Sequence, residues 1–463
     1  MRYSRKQYLS SYATLLLLLL VSLSISKSGT GSVDLVIRNT QTAYVLHGSA
    51  WERQIKQPTT MISRIATRLF VRLRKKGIPS PSVDVLSSAI EQRQEYLRRH
   101  TLVSITHPDG TEFLDWEASI HKYPQWLKPS ISLLHARFIL DDDEIRKTIM
   151  LEVDSKIVKP SNISIEGTGN EGNVLKVNTS GLAKKGEEID IDALVDNVKF
   201  ALESGSEIVL ASLYNSDPII DNIGDENLGS FELIASGKSN FKGSTYNRSF
   251  NVRKALREHV NNTLVPPGAT FSFNDTLNGP VSLGNGWAMA KVIYNGNELK
   301  PAPGGGICQA STTVYRAAVM AGLPIEDRRS HSMYVSYYKA YGVGIDATIY
   351  PGTQDLSFVN DTGNYILIQS YDDGYDAVVN IYGTPDGRTV ELEGPYFTTN
   401  SPTDLKVNGR HIMGNEIAWI QYVNRVNQEQ EKNMIVSRYN ALPSYVKNQY
   451  ETLHASGPVS LRD

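Results

Sequence analysis

One run of residues concentrates the chemistry available to this chain. Pro301-Ala302-Pro303-Gly304-Gly305-Gly306-Ile307-Cys308-Gln309-Ala310-Ser311-Thr312-Thr313 carries the single cysteine among 463 residues. Three successive glycines permit a tight turn and close approach by another stretch of backbone. Beyond them Ala310, Val314, Ala317, Ala318 and Ala321 fall at helical spacing, Gly322 stops the helix and Pro324 follows. Cys308 is therefore expected at the N-terminus of a buried helix. There the helix dipole and unpaired N–H groups favour thiolate over thiol, and the same N–H groups suit an oxyanion.

Acyl transfer by a thiolate also needs a base and a group that orients the base. Arg328 to Val335 reads as a strand, Gly342-Val343-Gly344 as a turn, and Ile345 to Tyr350 as a second strand. His331, as base, and Asp346, as its orienting partner, can meet across such a hairpin. The order Cys, His, Asp suits a papain-like or transglutaminase-like plan, with the strand register left open. The expected catalytic set is thus Cys308, His331 and Asp346. The competing reading makes Cys308 a small buried hydrophobe. The glycine loop, and an export context in which an unneeded thiol is a liability, favour the reactive one. Arg328 is read either as a ligand for a substrate carboxylate or as an exposed strand charge. With Gly305, Gly306, Gln309 and Ser311 it forms the expected substrate-binding set. Trp287, Tyr294 and Tyr315 read first as core or strand aromatics and second as groove walls.

These residues need a framework. Hydrophobic residues make up 40% of the chain and charged residues 21%, which is enough to bury a real core and excludes wholesale disorder. Lys and Arg (47) nearly balance Asp and Glu (49), so bulk nucleic-acid binding is not expected. Tyr outnumbers Phe and glycine is frequent, which leans toward strands and turns. A lone cysteine forbids an internal disulfide and a Cys-rich zinc site.

Arg2, Arg5 and Lys6 precede an apolar stretch from Leu9 to Ile25, so residues 1–30 read as a signal peptide or N-terminal membrane anchor, and both export the rest. Residues 31–130 are a partly helical region. Its basic helix, Met61 to Lys76, is read as a solvated face ahead of a contact with a membrane surface or acidic polymer. Residues 131–230 read as a small α+β module. A helix opens at the acidic cluster Asp141 to Glu144, and another runs from Asp190 to Glu203 before Gly205. Residues 236–395 form the glycine-, asparagine- and aromatic-rich part around Cys308, and residues 396–463 a C-terminal β-hairpin and tail. The fold class is α+β, with mixed helices and antiparallel strands, Cys308 at a helix start and His331 and Asp346 on strands after it. No cofactor is indicated, because Gly304-Gly305-Gly306 lacks the Lys and Ser/Thr of a phosphate loop and no metal motif occurs.

From about Asn247 to Gly383 the chain resembles a VanW domain. The matching motifs are Pro267-Gly268-Ala269-Thr270-Phe271-Ser272-Phe273-Asn274, the run Gly304 to Thr313, Arg328-Arg329-Ser330-His331-Ser332, Gly344-Ile345-Asp346-Ala347-Thr348, and Asp355 to Asn360. The chain departs from the pattern at Lys339-Ala340-Tyr341, which replaces a short proline-containing turn. Residues 131–230 are similar to the peptidoglycan-binding-like module that often precedes such domains. The resemblance implies an exported protein, anchored or secreted, that faces the bacterial cell wall with peptidoglycan as partner. Some members are implicated as cysteine L,D-transpeptidases. On that plan Cys308 forms a thioester with a stem peptide and His331 shuttles protons. The alternatives are a peptidoglycan-binding envelope scaffold with a structural Cys308, and a cysteine peptidoglycan hydrolase.

Overall fold

The structure, a computed structural model, describes residues 35–39, 42–46, 83–131, 136–224 and 227–446. The apolar N-terminal stretch and the basic helix expected at Met61 to Lys76 lie outside the described residues. Among the described residues, no helix is long and apolar enough to cross a membrane. Helices and strands are both abundant, and most strand pairs are antiparallel, so the fold is α+β.

The chain forms two compact units that interleave. Among the described residues, those up to 159 together with 186–216 make one, and 160–185 together with those from 217 to 446 make the other. This division differs from a module bounded at 131 and 230. The stretch 160–185 pairs into the sheet of the second unit, whereas 186–216 returns to the first.

In the first unit a three-stranded sheet has His100–Thr106 at its centre, parallel to Ile208–Ser212 and antiparallel to Glu112–Ser119. Two of its helices start where the sequence places N-terminal signals, and one of them stops at its predicted glycine. The Asp141 side chain accepts from the Asp143 N–H ahead of helix Asp142–Glu152. Asp190 caps helix Ile191–Ser204, and Gly205, with φ of 79°, ends it. Val103, Ile105, Trp116, Trp126, Ile145 and Leu202 form part of the core.

The second unit is built on seven strands. Their order is Ile220–Asn222, Ile163–Glu171, Val174–Thr179, Thr263–Val265, Ile366–Asp373, Asp376–Gly383 and Glu232–Asn240. The two-residue period of the strands divides their side chains between two faces. Ile366, Ile368, Val379 and Ile381 point to the face covered by helix Ile307–Met320. Leu367 and Tyr382 point to the other, with Ile163, Ile165 and Val177. A three-stranded sheet of Thr389–Tyr396, Glu416–Asn424 and Glu431–Arg438 flanks the same helix. Its Ile417, Trp419 and Ile435 share the helix's core, and Gln421 Nε2 donates to the Val319 carbonyl at 2.6 Å. The C-terminal hairpin read from the sequence is therefore an integral layer of this unit.

Gly237 shows how closely the layers approach. A Cβ there would overlap the Ala317 nitrogen and the Thr313 carbonyl oxygen of the helix. Glycine in this strand allows backbone to lie against backbone. Beside it the Ser239 and Thr313 hydroxyls bond at 2.7 Å.

Candidate active site

The glycine run makes the turn that starts the helix. Gly304 and Gly306 hold φ of 77° and 113°, a region side chains rarely adopt. Gly305 is needed for space, since a Cβ would lie 2.6 Å from the Ala290 carbonyl. The Asn251 side chain donates to the Gly305 and Ala288 carbonyls and accepts from the Ala288 N–H, each at 2.9 Å. It thereby stitches the loop to the foot of hairpin Met289–Tyr294 and Glu298–Pro303. Helix Ile307–Met320 follows, with Cys308 in its first turn. The flanking donors are already engaged: Ile307 N–H donates to Gly304 O at 3.0 Å, and Gln309 N–H to Gly306 O at 2.9 Å. An oxyanion would have to find its donors elsewhere than in these two groups.

Cys308 is half-buried, with Sγ 3.6 Å from Thr348 Oγ1 and 3.7 Å from Ile349 O. Behind it stand two buried residues. His331 Nδ1 lies 2.5 Å from Asp346 Oδ2, and the same oxygen accepts the His331 backbone N–H at 2.8 Å. Asp346 Oδ1 accepts the Tyr439 hydroxyl at 2.5 Å. An ionised carboxylate only accepts, so Nδ1 carries the proton and Nε2 is left for Cys308.

The charges follow from these contacts. Burial raises the Asp346 carboxyl, but the hydrogen bond and charge of His331, followed by Arg328, outweigh it and hold Asp346 far below the usual carboxylate range. Burial lowers His331, but Asp346 and Cys308 outweigh it and raise the imidazole to about 9. Burial raises the Cys308 thiol, but the hydrogen bond and charge of His331 bring it below the ordinary thiol value, with smaller help from Ile349 and Thr348. The three groups therefore favour a thiolate–imidazolium pair backed by a carboxylate. Tyr338 covers the imidazole, with ring centres 5.2 Å apart.

His331 and Asp346 do not sit on paired strands. Between Arg329 and Thr348 there is one isolated bridge, and the chain between them is irregular, with Tyr341, Gly342 and Gly344 at positive φ. Two arginines substitute for a strand ladder. Arg316, on the Cys308 helix, donates to five backbone carbonyls: Ile345, Lys238, Ala340, Tyr338 and Gly342, at 2.7 to 2.9 Å. Arg328 donates to the carbonyls of Asp346 (2.7 Å), Val436 (2.8 Å) and Gly344 (3.3 Å), and to the Ser437 hydroxyl. It also lies 3.8 Å from Asp346 Oδ1 and over the buried Tyr315 ring. Arg316 went unremarked as a site residue in the sequence. It lies on the helix face opposite the apolar stripe, where a solvated charge is the ordinary expectation, so no local signal singles it out; its burial comes from layers that cover the helix on both sides.

The remaining sequence-predicted residues divide. Gly305 and Gly306 form the turn beside Cys308. Gln309 is buried, donating to Ser239 Oγ at 3.0 Å and accepting from Arg248 at 2.8 Å. Ser311 is buried and donates to the Ala347 carbonyl at 2.8 Å. Trp287 is a core residue stacked on His259, and Tyr294 is an exposed hairpin residue beneath Lys300. Among the described residues no cluster of three or more His, Cys, Asp or Glu could hold a metal ion.

Residues 247–382 match the family model described as VanW like protein. This segment is similar to VanW-like domains. It contains Cys308, His331 and Asp346, while Tyr439 lies beyond it. A curated relative, "Uncharacterized protein YoaR" of Bacillus subtilis (strain 168), is 35% identical over 144 residues, which is 31% of this chain and 46% of that protein. The chain thus spans about half the length of the curated relative it matches. No solved structure matches.

Proposed function

We propose that this protein is an exported enzyme of the bacterial cell envelope that transfers acyl groups on peptidoglycan stem peptides through a Cys308 thioester. The observation that carries the reading is the Cys308–His331–Asp346 chain, in which a first-turn cysteine faces an imidazole held by a buried carboxylate. The likeness to VanW domains supports an association with the cell wall, and the apolar N-terminal stretch supports export.

In this reading the Cys308 thiolate attacks the carbonyl carbon between an L-centre and the terminal D-residue of a donor stem. The C–S bond forms and the C–N bond breaks. His331, protonated on both nitrogens, passes its Nε2 proton to the leaving amine. The neutral imidazole then takes a proton from an acceptor amine as that amine attacks the thioester. The new amide forms and the thiolate departs. Asp346 stays ionised throughout and keeps the Nδ1 proton in place. Arg328 acts as a positioning residue, because its guanidinium is bonded to the loops around Asp346.

The test uses the soluble chain without its first 30 residues, purified muropeptides with tetrapeptide stems, and a Cys308→Ala control. Crosslinked dimers and a mass adduct on Cys308, both absent in the control, are the expected result. Trimmed stems without dimers would make the protein a hydrolase of the same site plan. Neither product, with binding to sacculi retained, would sink the catalytic reading and leave a wall-binding protein.

A further inference from the structure

The chain immediately after strand Glu431–Arg438 reaches the Cys308 site at three points. The Tyr439 hydroxyl donates to Asp346 Oδ1 at 2.5 Å. The Asn440 N–H donates to the Ser332 carbonyl, next to His331, at 2.6 Å. The Asn440 side chain donates to the Gly296 carbonyl, at the tip of hairpin Met289–Tyr294 and Glu298–Pro303, at 2.8 Å. The segment is itself anchored. Tyr439 N–H donates to Asn415 O at 3.0 Å, Asn415 Nδ2 returns to Tyr439 O at 2.7 Å, and Val446 is buried in the core. All of this lies beyond residue 382, where the VanW-like match ends.

We propose that Tyr439 and Asn440 are positioning residues of the Cys308 site, so that residues 247–382 alone are not a complete catalytic unit. The proposal rests on the reading of Cys308 as a nucleophile. Asp346 has two carboxylate oxygens, and His331 needs one of them aimed at Nδ1. Oδ2 accepts both His331 donors, whereas Oδ1 lies near Arg328 and is occupied by Tyr439. Without the Tyr439 hydroxyl, Oδ1 is a buried charged acceptor whose nearest cation is Arg328. The carboxylate then turns toward Arg328, His331 loses part of its partner, and the imidazolium that holds the thiolate weakens. The charged and titratable groups facing this chain are Arg328 and Tyr439 on Asp346, Tyr338 and Cys308 on His331, Arg248 near Tyr338, Tyr315 beneath Arg328 and Tyr334 against Tyr439. Among them Tyr439 donates a neutral hydrogen bond to the carboxylate, so its removal changes geometry without changing charge.

The experiment measures alkylation of Cys308 by iodoacetamide against pH in the full chain, from about pH 4 to about pH 9, with a thermal melt of each variant. Because thiolate fraction changes tenfold per pH unit below the pKa, an acid limb moved up by about one unit slows alkylation about tenfold on that limb. Tyr439→Phe is expected to shift the limb upward by that amount and to keep the alkaline plateau. A purely structural Tyr439 would lower the melt and leave the profile in place, and superimposable profiles in folded protein would overturn the proposal. Should Tyr439→Phe not fold, Asn440→Ala, which leaves the Asp346 contacts intact, is expected to shift the limb in the same direction by a smaller factor, and an unmoved limb there would overturn it. If the wild type itself titrates as an ordinary thiol, the nucleophile reading falls and the proposal with it.

Discussion

Arg316→Lys tests the device that holds the site together. The wild-type guanidinium satisfies five backbone carbonyls from a buried position on the Cys308 helix. A lysine ammonium offers three donors at one point, so at least two carbonyls lose their partner. An unsatisfied buried acceptor costs about 1–3 kcal/mol, so the pair costs about 4 kcal/mol. In a unit of this size that corresponds to a melting temperature lower by about 8–16 °C. The carbonyls at risk belong to Tyr338, which covers His331, and to Ile345, which precedes Asp346. Loss of stability should therefore be accompanied by slower alkylation of Cys308 at neutral pH in the protein that remains folded. Calorimetry and alkylation rates on the same samples read both effects. A melt lowered by less than about 2 °C, with unchanged alkylation, would refute the view that these five bonds set the loop.

Other expectations follow from the same contacts. Asp346→Asn breaks a buried charged network and should lower stability at neutral pH by about 3–5 kcal/mol. The native carboxyl is held below its unfolded value, so its contribution is present above about pH 3.9 and lost as pH falls through the native pKa. Because Asp346 also raises His331, the gap in urea midpoint between wild type and this variant should grow from pH 7 to about pH 5, as the unfolded histidine protonates, and close below about pH 4 as the carboxyl protonates; a gap that keeps widening below about pH 4 would contradict the sign. Gly237→Ala pushes a methyl into the backbone of the Cys308 helix, where no flexible side chain can move aside. It should destabilise by about 3 kcal/mol or prevent folding, and a wild-type urea midpoint would show that sheet and helix are further apart than described.

Much of the site was legible because its signals are local. A helix stripe ending at Gly322 places Cys308 in a first turn from spacing alone, and the triple glycine marks the turn before it. Capping residues Asp141, Asp190 and Gly205 define helix ends within a few residues. What was not legible depends on contacts distant in sequence. The segments bearing His331 and Asp346 alternate like strands, yet they fold as irregular loops because carbonyl bonds to Arg316 and Arg328 replace the ladder. Tyr439 reaches Asp346 through a three-stranded sheet whose packing against the helix no local pattern encodes. The exchange of 160–185 and 186–216 between two units is likewise a matter of long-range strand pairing: Ile163–Glu171 has the same alternation whichever sheet it joins.

The claim on which the account turns is that Cys308 is held as a thiolate by His331. With one cysteine in the chain, the ultraviolet absorbance of thiolate, titrated with pH and corrected with a Cys308→Ser protein, reads this group alone. The account predicts thiolate absorbance already present below the ordinary thiol range and lost there in His331→Ala, where burial should leave the thiol at or above that range. Absorbance that rises only in that ordinary range in the wild type, and does not change on removal of His331, would contradict it.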